Sequence, residues 1–105
     1  MFNHVGHLTL VPETTDDQIA AIVNGLLGLP AQVDGLVEAQ VVLDAGLVPG
    51  NANLRFQMRF ESEAAWQAYK THPAHVAVIA DHIGPVLGSK AFVQYTDDDV
   101  RVAKA

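Results

Sequence analysis

Hydrophobic and polar residues alternate most strictly in the middle of the chain, over residues 53–60. Four apolar side chains there alternate with three polar or basic ones: Leu54, Phe56, Met58 and Phe60 with Arg55, Gln57 and Arg59. Strict alternation predicts a β-strand with one buried face and one face that is wet or meets a polar partner. Apolar-rich segments bounded by Gly or Pro predict three more strands, over residues 4–11, 36–44 and 90–95.

The first helix has the clearest start and end signals in the sequence. Thr15 and Gln18 have the spacing of a capping box, in which each side chain bonds the backbone N–H of the other. Behind them, apolar residues recur along one helical stripe: Ile19, Ile22, Val23, Leu26 and Leu27. Because Gly28 and Pro30 follow this stripe, we expect the helix to end there.

A second helical region follows the strand that ends near residue 60. Ser62 is placed to cap a helix over residues 63–70, whose apolar side chains Ala65, Trp66 and Tyr69 point inward together. Pro73 interrupts that helix and is suited to the first turn of another, which runs to about residue 83. The sequence therefore predicts a pair of short helices joined at residues 71–73.

The order strand, helix, strand, strand, helix pair, strand predicts the fold class. Such an order is typical of a two-layer α+β domain, with helices on one face of a four-stranded antiparallel sheet. A chain of 105 residues is long enough to bury one core without disulfides or metals. We assign residues 1–96 to this domain and residues 97–105 to an acidic C-terminal tail.

Helices on one face leave the other face of the sheet uncovered. If His4, Leu8 and Leu10 face the helices, we expect the open face to carry a mixed set: Val5, His7, Thr9, Glu38, Val42, Arg55, Arg59, Lys90 and Phe92. This mixture suits neither a dry core nor bulk water. A second copy of the same sheet would cover it, and twofold pairing is the commonest way to supply one. The sequence therefore favours a homodimer over a monomer.

The amino-acid composition excludes several kinds of site and argues against some classes of binding partner. The absence of cysteine excludes disulfide scaffolds, thiolate zinc sites and cysteine nucleophiles. Twelve acidic against six basic residues, a net charge of −6, argue against nucleic acid or an anionic membrane surface as the main partner. The N-terminal residues do not resemble a signal peptide and no segment could span a bilayer, so we expect a soluble, cytoplasmic protein.

The segment from Tyr69 to His75 is the strongest candidate for chemistry. His72 precedes a proline, which favours extended backbone and a capping position. His75 falls in the first turn of the next helix, where the helix dipole favours a neutral, proton-accepting imidazole. Such a histidine suits a general base, and Tyr69 could donate to an oxygen that gains negative charge. In the alternative interpretation Tyr69 is a core residue and both histidines only cap the helix junction.

The remaining polar residues carry weaker signals. His4 is assigned to the helix-covered face and His7 to the other; His4 could equally be a histidine at the edge of the core. His75 and His82 lie ~10 Å apart along a helix, too far to hold one metal together, so we predict no metal site. Acidic residues 97–99 are expected to be solvated, and Arg55 and Arg59 could bind an anion or form the hydrophilic half of a strand.

These residues together resemble the stress-responsive dimeric α/β-barrel (Dabb) family. The resemblance rests on the first-strand His4, the strand that ends Phe60-Glu61-Ser62, and above all the Tyr-x-x-His-Pro-x-His segment from Tyr69. It covers nearly the whole chain, including the element order. It implies a ferredoxin-like fold whose two sheets meet face to face in a homodimeric barrel.

The resemblance also implies a chemistry, because the family includes the plant polyketide cyclase olivetolic acid cyclase. Carried over residue by residue, His75 would remove a proton from a carbon flanked by carbonyls, and Tyr69 would stabilise the enolate-like oxygen. The ligand-binding set would comprise His4, Leu54, Phe56, Trp66, His72 and Ile79. A cavity-side histidine on the third strand of that cyclase aligns with Leu54, so the substrate need not be shared.

Two functions are favoured at this stage, ahead of the metal-dependent or haem-related activities known among other ferredoxin-like dimeric barrels. The first is a small, cofactor-independent enzyme that uses His/Tyr acid–base chemistry on an apolar carbonyl compound, by aldol or isomerisation reactions. The second is a non-catalytic, stress-responsive dimer or small-ligand binder. The enzyme requires a cavity under the helices that both Tyr69 and His75 reach.

Overall fold

The computed structural model describes all 105 residues and contains four strands and three helices. In chain order they are β1 (Phe2–Leu10), α1 (Asp16–Leu27), β2 (Leu36–Leu43), β3 (Leu54–Phe60), α2 (Glu63–Lys70), α3 (Pro73–Val78) and β4 (Leu87–Thr96). The helix that starts at Pro73 changes to π geometry over Ile79–Ile83 and ends in a 3₁₀ turn, Gly84–Val86. None of the helices is both long and apolar enough to cross a membrane.

The helix starts form as the sequence predicts. Thr15 accepts from the Gln18 backbone N–H at 3.2 Å and the Gln18 side chain accepts from the Thr15 N–H at 2.9 Å, which completes the capping box. Ser62 accepts from the Ala65 N–H at 3.2 Å at the start of α2. These bonds satisfy N–H groups that have no partner within their helix.

The sheet is antiparallel, with the strand order β2-β3-β1-β4. All helices pack on one face, and the core between the two layers includes Ile22 and Leu26 from α1 together with Met58 and Phe60 from β3. This arrangement confirms the predicted ferredoxin-like α+β fold. The strand β1 lies in the centre of the sheet and pairs with both β3 and β4.

The register of β4 shows that two residues predicted for the open face lie on the other side of the sheet. It runs from Leu87 to Thr96, longer than predicted, and its pairing with β1 sets Phe92 opposite Gly6 and Lys90 opposite Leu8. Directly paired residues share a face, so Phe92 and Lys90 lie on the helix side of the sheet and not on the open side. Gly6 is needed there, because a Cβ at this position would overlap the rings of Phe56 and Phe92.

The predicted acidic tail begins as a turn that is tied to the open face. Asp97 accepts from the Asn3 side-chain amide at 2.7 Å and from the Arg59 guanidinium at 3.0 Å. Its backbone N–H also bonds the Met1 carbonyl at 3.0 Å. The anion that Arg59 binds is therefore a carboxylate of this chain, while the tail boundary at residue 97 stays a prediction.

Candidate functional site

A cavity of about 510 Å³ lies between the second helical region and the β1–β4 half of the sheet. Eleven of its sixteen lining residues are apolar. Six of the residues predicted for the site line it: His4, Phe56, Trp66, Tyr69, His75 and Ile79. Ile79 and Phe92, 41% and 42% exposed, mark its mouth. On the helix side of β4, Lys90, Phe92 and Gln94 are exposed, so the helices do not fully cover this edge of the sheet.

Two residues predicted to bind ligand do not line this cavity. Leu54 is 2% exposed within the core, at the start of β3 where it pairs with Leu8. His72 caps α3, because its Nδ1 accepts from the Ala74 N–H at 3.0 Å. The pre-proline position therefore gives His72 the capping role that the sequence indicates, and that role directs its ring to the backbone.

The helix junction brings Tyr69 and His75 together. Tyr69 lies in the last turn of α2 and His75 in the first turn of α3. Pro73 has no N–H to continue α2, and the chain turns where the His72 N–H bonds the Tyr69 carbonyl at 3.1 Å. The two rings stack with centroids 4.1 Å apart and planes inclined at 28°.

His75 is arranged as a proton acceptor. Its Nδ1 lies 3.2 Å from the Lys70 carbonyl oxygen, and a carbonyl only accepts, so Nδ1 carries the proton and Nε2 keeps its lone pair. Burial lowers the pKa of His75, although its bonds to the Lys70 and Tyr69 backbone oppose this effect. The imidazole is therefore neutral near pH 7, with its partial burial as the main cause.

Tyr69 is arranged as a proton donor. The residue is 2% exposed and packs edge-on against Phe60, with ring centroids 5.0 Å apart. Burial raises the pKa of Tyr69, so the phenol stays protonated. Its hydroxyl bonds no protein atom, yet no fully buried side-chain polar atom lacks a partner. The hydroxyl is therefore accessible from the cavity.

His4 adds a second donor beside them. Burial, and secondly the proximity of His75, lower the pKa of His4 to about 4. The Gln94 amide donates to its Nδ1 at 2.9 Å, which leaves the ring proton on Nε2. Its ring centroid lies 5.1–6.4 Å from those of Phe92, Phe56, Trp66 and Tyr69. The site thus joins one neutral proton acceptor to two donors inside an aromatic enclosure.

Three polar residues of the cavity were not predicted for the site: Lys70, Lys90 and Gln94. Lys70 follows Trp66 by four residues on α2, a spacing that places side chains side by side, so the sequence carried that signal. Lys90 and Gln94 reach the cavity only through the register of β4. No group of three or more His, Asp or Glu side chains is arranged to hold a metal ion.

Comparison with known proteins gives a family match over nearly the whole chain. The model of the family described as Stress Responsive A/B Barrel Domain (Dabb) matches residues 2–97. No curated protein matches the sequence.

Several solved structures are similar. A dimeric ferredoxin-like protein of unknown function from Thermobifida fusca is 29% identical, with a TM-score of 0.79 over 90% of this chain and 88% of its own. A protein from Arabidopsis thaliana is 22% identical, with a TM-score of 0.81 over 97% and 100%. The hydroxynitrile lyase from Passiflora edulis is 14% identical, with a TM-score of 0.81 over 96% of each chain.

Proposed function

We propose that this chain, which belongs to the stress-responsive A/B barrel (Dabb) family, is a small enzyme that performs acid–base chemistry on a carbonyl compound. The observation that carries the proposal is the stacked pair of Tyr69 and His75, with a free hydroxyl and a free ring nitrogen on the same cavity. No cofactor is needed for this chemistry.

In the proposed reaction His75 is the general base. Its Nε2 removes a proton from the carbon next to a carbonyl, and the electrons of the broken C–H bond move toward the carbonyl oxygen. Tyr69 donates a hydrogen bond to this oxygen as it gains negative charge, and the Nε2–H of His4 is a second donor. The enolate then either takes the proton at another carbon of its conjugated system, which isomerises the compound, or attacks a second carbonyl in the same molecule, whose oxygen becomes an alkoxide that takes the proton. In both cases the imidazolium of His75 returns the proton.

The cavity walls support an apolar substrate. Phe56, Trp66 and Ile79 lie on them, and a site of this size that is mostly apolar with a few convergent polar groups is typical of small-molecule binding. Burial of Tyr69 also strengthens the hydrogen bond from its hydroxyl to a developing enolate. We therefore propose a small, largely apolar carbonyl compound as the ligand.

We also propose that two copies pair through their open sheet faces. Val42 and Val93 lie on that face and are 55% and 56% exposed, and the similar Thermobifida fusca protein is dimeric. Sedimentation at micromolar concentration should give about twice 11.2 kDa. A persistent species of single-chain mass would contradict the dimer. A cytoplasmic location stays a prediction.

A non-catalytic ligand binder is the second candidate, and a specific observation favours it. Each of the two cavity histidines has one ring nitrogen already paired within the protein: His4 with the Gln94 amide and His75 with the Lys70 carbonyl. Such pairing also holds a binding site rigid. Since both candidates use the same cavity, only proton transfer separates them.

Deuterium incorporation tests proton transfer without knowledge of the natural substrate. The protein is incubated in D₂O with a panel of medium-chain and aromatic ketones, and deuterium at the carbon next to the carbonyl is measured by mass spectrometry. We expect His75→Gln to slow incorporation by roughly 10²–10⁴-fold, the usual contribution of a general base. The rate should rise with pH through a pKa below 6.5, because burial lowers the pKa of His75.

His82→Gln is the matched control, because His82 lies seven residues further along the same helical region but does not line the cavity. This variant should retain the full rate. Incorporation that survives in His75→Gln would contradict the proposed base. Ketones that bind without any incorporation would leave the ligand binder as the function.

A further inference from the structure

The charge of the cavity is opposite to that of the protein. Two of the three lysines in the chain, Lys70 and Lys90, line it, and none of the twelve acidic residues does. The net charge of the whole chain is −6. Positive groups at an apolar opening concentrate the local field and attract anions.

Neither lysine is neutralised by the protein. The three ion pairs of the structure involve only Arg59 and the amino terminus as cations. The Lys70 ammonium lies over the Trp66 ring, 4.7 Å from its centroid, and the Lys90 ammonium lies 5.4 Å from the centroid of Phe92. These aromatic contacts hold each charge beside a cavity wall and leave its donors free.

We propose that the cavity takes an amphiphilic carboxylate, whose apolar body occupies the aromatic interior and whose anionic group pairs with Lys70 and Lys90 at the mouth. The proposal rests on the proposed function in one respect, namely that the cavity binds a small molecule. A carboxylate fits better than a phosphate, because the lining contains no arginine fork for phosphate oxygens, only point charges.

This assignment also orients the ligand. A carboxylate held at the mouth directs the rest of the molecule inward, toward His4, Tyr69 and His75. For the proposed enzyme, the substrate class narrows to an oxo acid with its carbonyl some distance from its carboxylate. The lysines are binding and positioning residues, since neither is required to move a proton.

Binding of matched ten-carbon probes tests the proposal. Decanoate, decan-1-ol and decyltrimethylammonium share an apolar chain and differ in head-group charge. Their affinities are measured by equilibrium dialysis and by the fluorescence of Trp66, the only tryptophan, which lines the cavity. We expect decanoate to bind on the order of tenfold more tightly than decan-1-ol, as two partly exposed charge pairs allow. The preference should shrink in 1 M salt, where screening is strong.

Charge-removing variants locate the effect. Lys70→Gln with Lys90→Gln should abolish the preference for decanoate and leave decan-1-ol affinity unchanged. Lys104→Gln removes the same charge outside the cavity and should keep the preference. Equal binding of decanoate and decan-1-ol by the unmodified protein would overturn the anionic specificity alone. Binding of none of the probes would overturn the amphiphile site, whereas the proposed enzyme is judged separately by deuterium incorporation into ketones. If the unmodified protein prefers decanoate but catalyses no deuterium incorporation into ketones, only the proposed enzyme is refuted.

Discussion

Two clusters of polar side chains lie on opposite faces of the same sheet, and they differ in how completely they are paired. On the open face, Asn3 accepts from Gln57 at 3.1 Å and from Arg59 at 2.9 Å, and donates to Asp97 at 2.7 Å. Gln57 also donates to the Tyr95 hydroxyl at 3.2 Å. Every member has a partner within the protein, which indicates a structural role for this cluster, the open-face network.

The cavity cluster of His4, Tyr69 and His75 is paired only in part. One nitrogen of each imidazole is fixed by the protein, and the other nitrogens and the Tyr69 hydroxyl have no protein partner. A polar atom kept at an apolar cavity without a partner costs free energy unless water or a ligand bonds it. Substitutions in the open-face network should therefore lower stability, whereas substitutions in the cavity cluster should lower activity.

The two tyrosines of the chain allow the sharpest test, because each belongs to one cluster. Tyr69→Phe should slow deuterium incorporation by about 10²–10³-fold, the usual effect of losing a donor to a developing oxyanion. Its stability should change by less than about 0.5 kcal/mol, since the hydroxyl has no protein partner. Tyr95→Phe should keep the rate and lose about 1 kcal/mol of stability. The reverse pattern, measured by incorporation and urea unfolding, would contradict the division between the clusters.

As the pH falls, the protein should lose stability through His4 in the cavity before it loses any through the open-face network. His4 titrates near pH 4 when folded and near 6.5 when unfolded, so between these values only the unfolded chain takes up a proton. Its stabilisation is therefore complete above pH 6.5 and lost as the pH falls to about 4, by roughly 3 kcal/mol in all. Urea unfolding at a series of pH values measures this slope.

His4→Gln should reduce that slope, because it removes one of the two cavity histidines whose pKa burial lowers. His7→Gln is the matched control, since His7 lies on the same strand but on the open face, where its side chain is exposed. An unchanged slope in His4→Gln would show that other groups carry the acid sensitivity. Asp97 in the open-face network is protonated only at lower pH, because hydrogen bonds from Asn3 and Arg59 lower its pKa below 3.8.

The fold was predictable because its signals are local. The capping box at Thr15 and the alternation over residues 53–60 each act within a few residues, so they determine their elements before tertiary contacts form. The proximity of Tyr69 and His75 is also a local feature, because the two residues are six positions apart and Pro73 turns the chain between them. His4 followed from strand parity once its face was assigned.

The rest of the site was not predictable, because it depends on pairing between distant residues. Shifting β4 by one residue would move every side chain to the other face, and the sequence of β4 does not specify its register against β1. The sequence therefore predicts the wrong face for Phe92 and Lys90 and carries no signal for Gln94. Gly6 carries a partial signal, since a glycine inside a strand indicates that side chains approach closely across it.

The open-face network gives the smallest expected effect, on stability alone. Asn3 is fully buried, and Asn3→Ala removes the acceptor that Gln57 and Arg59 share. Both side chains keep a second partner, so we expect a loss of about 2 kcal/mol and not the full cost of two unpaired donors. Because the proposed dimer packs on this face, urea unfolding is measured at two protein concentrations.

Asn24→Ala is the matched control for Asn3→Ala, since Asn24 is exposed on α1 and should change stability by no more than about 0.5 kcal/mol. Deuterium incorporation should be normal in both variants. A slow rate in a folded Asn3→Ala protein would mean that the network positions the cavity through β1, which carries both Asn3 and His4. The two faces of the sheet would then be coupled, and the separation between stability and function would fail at this strand.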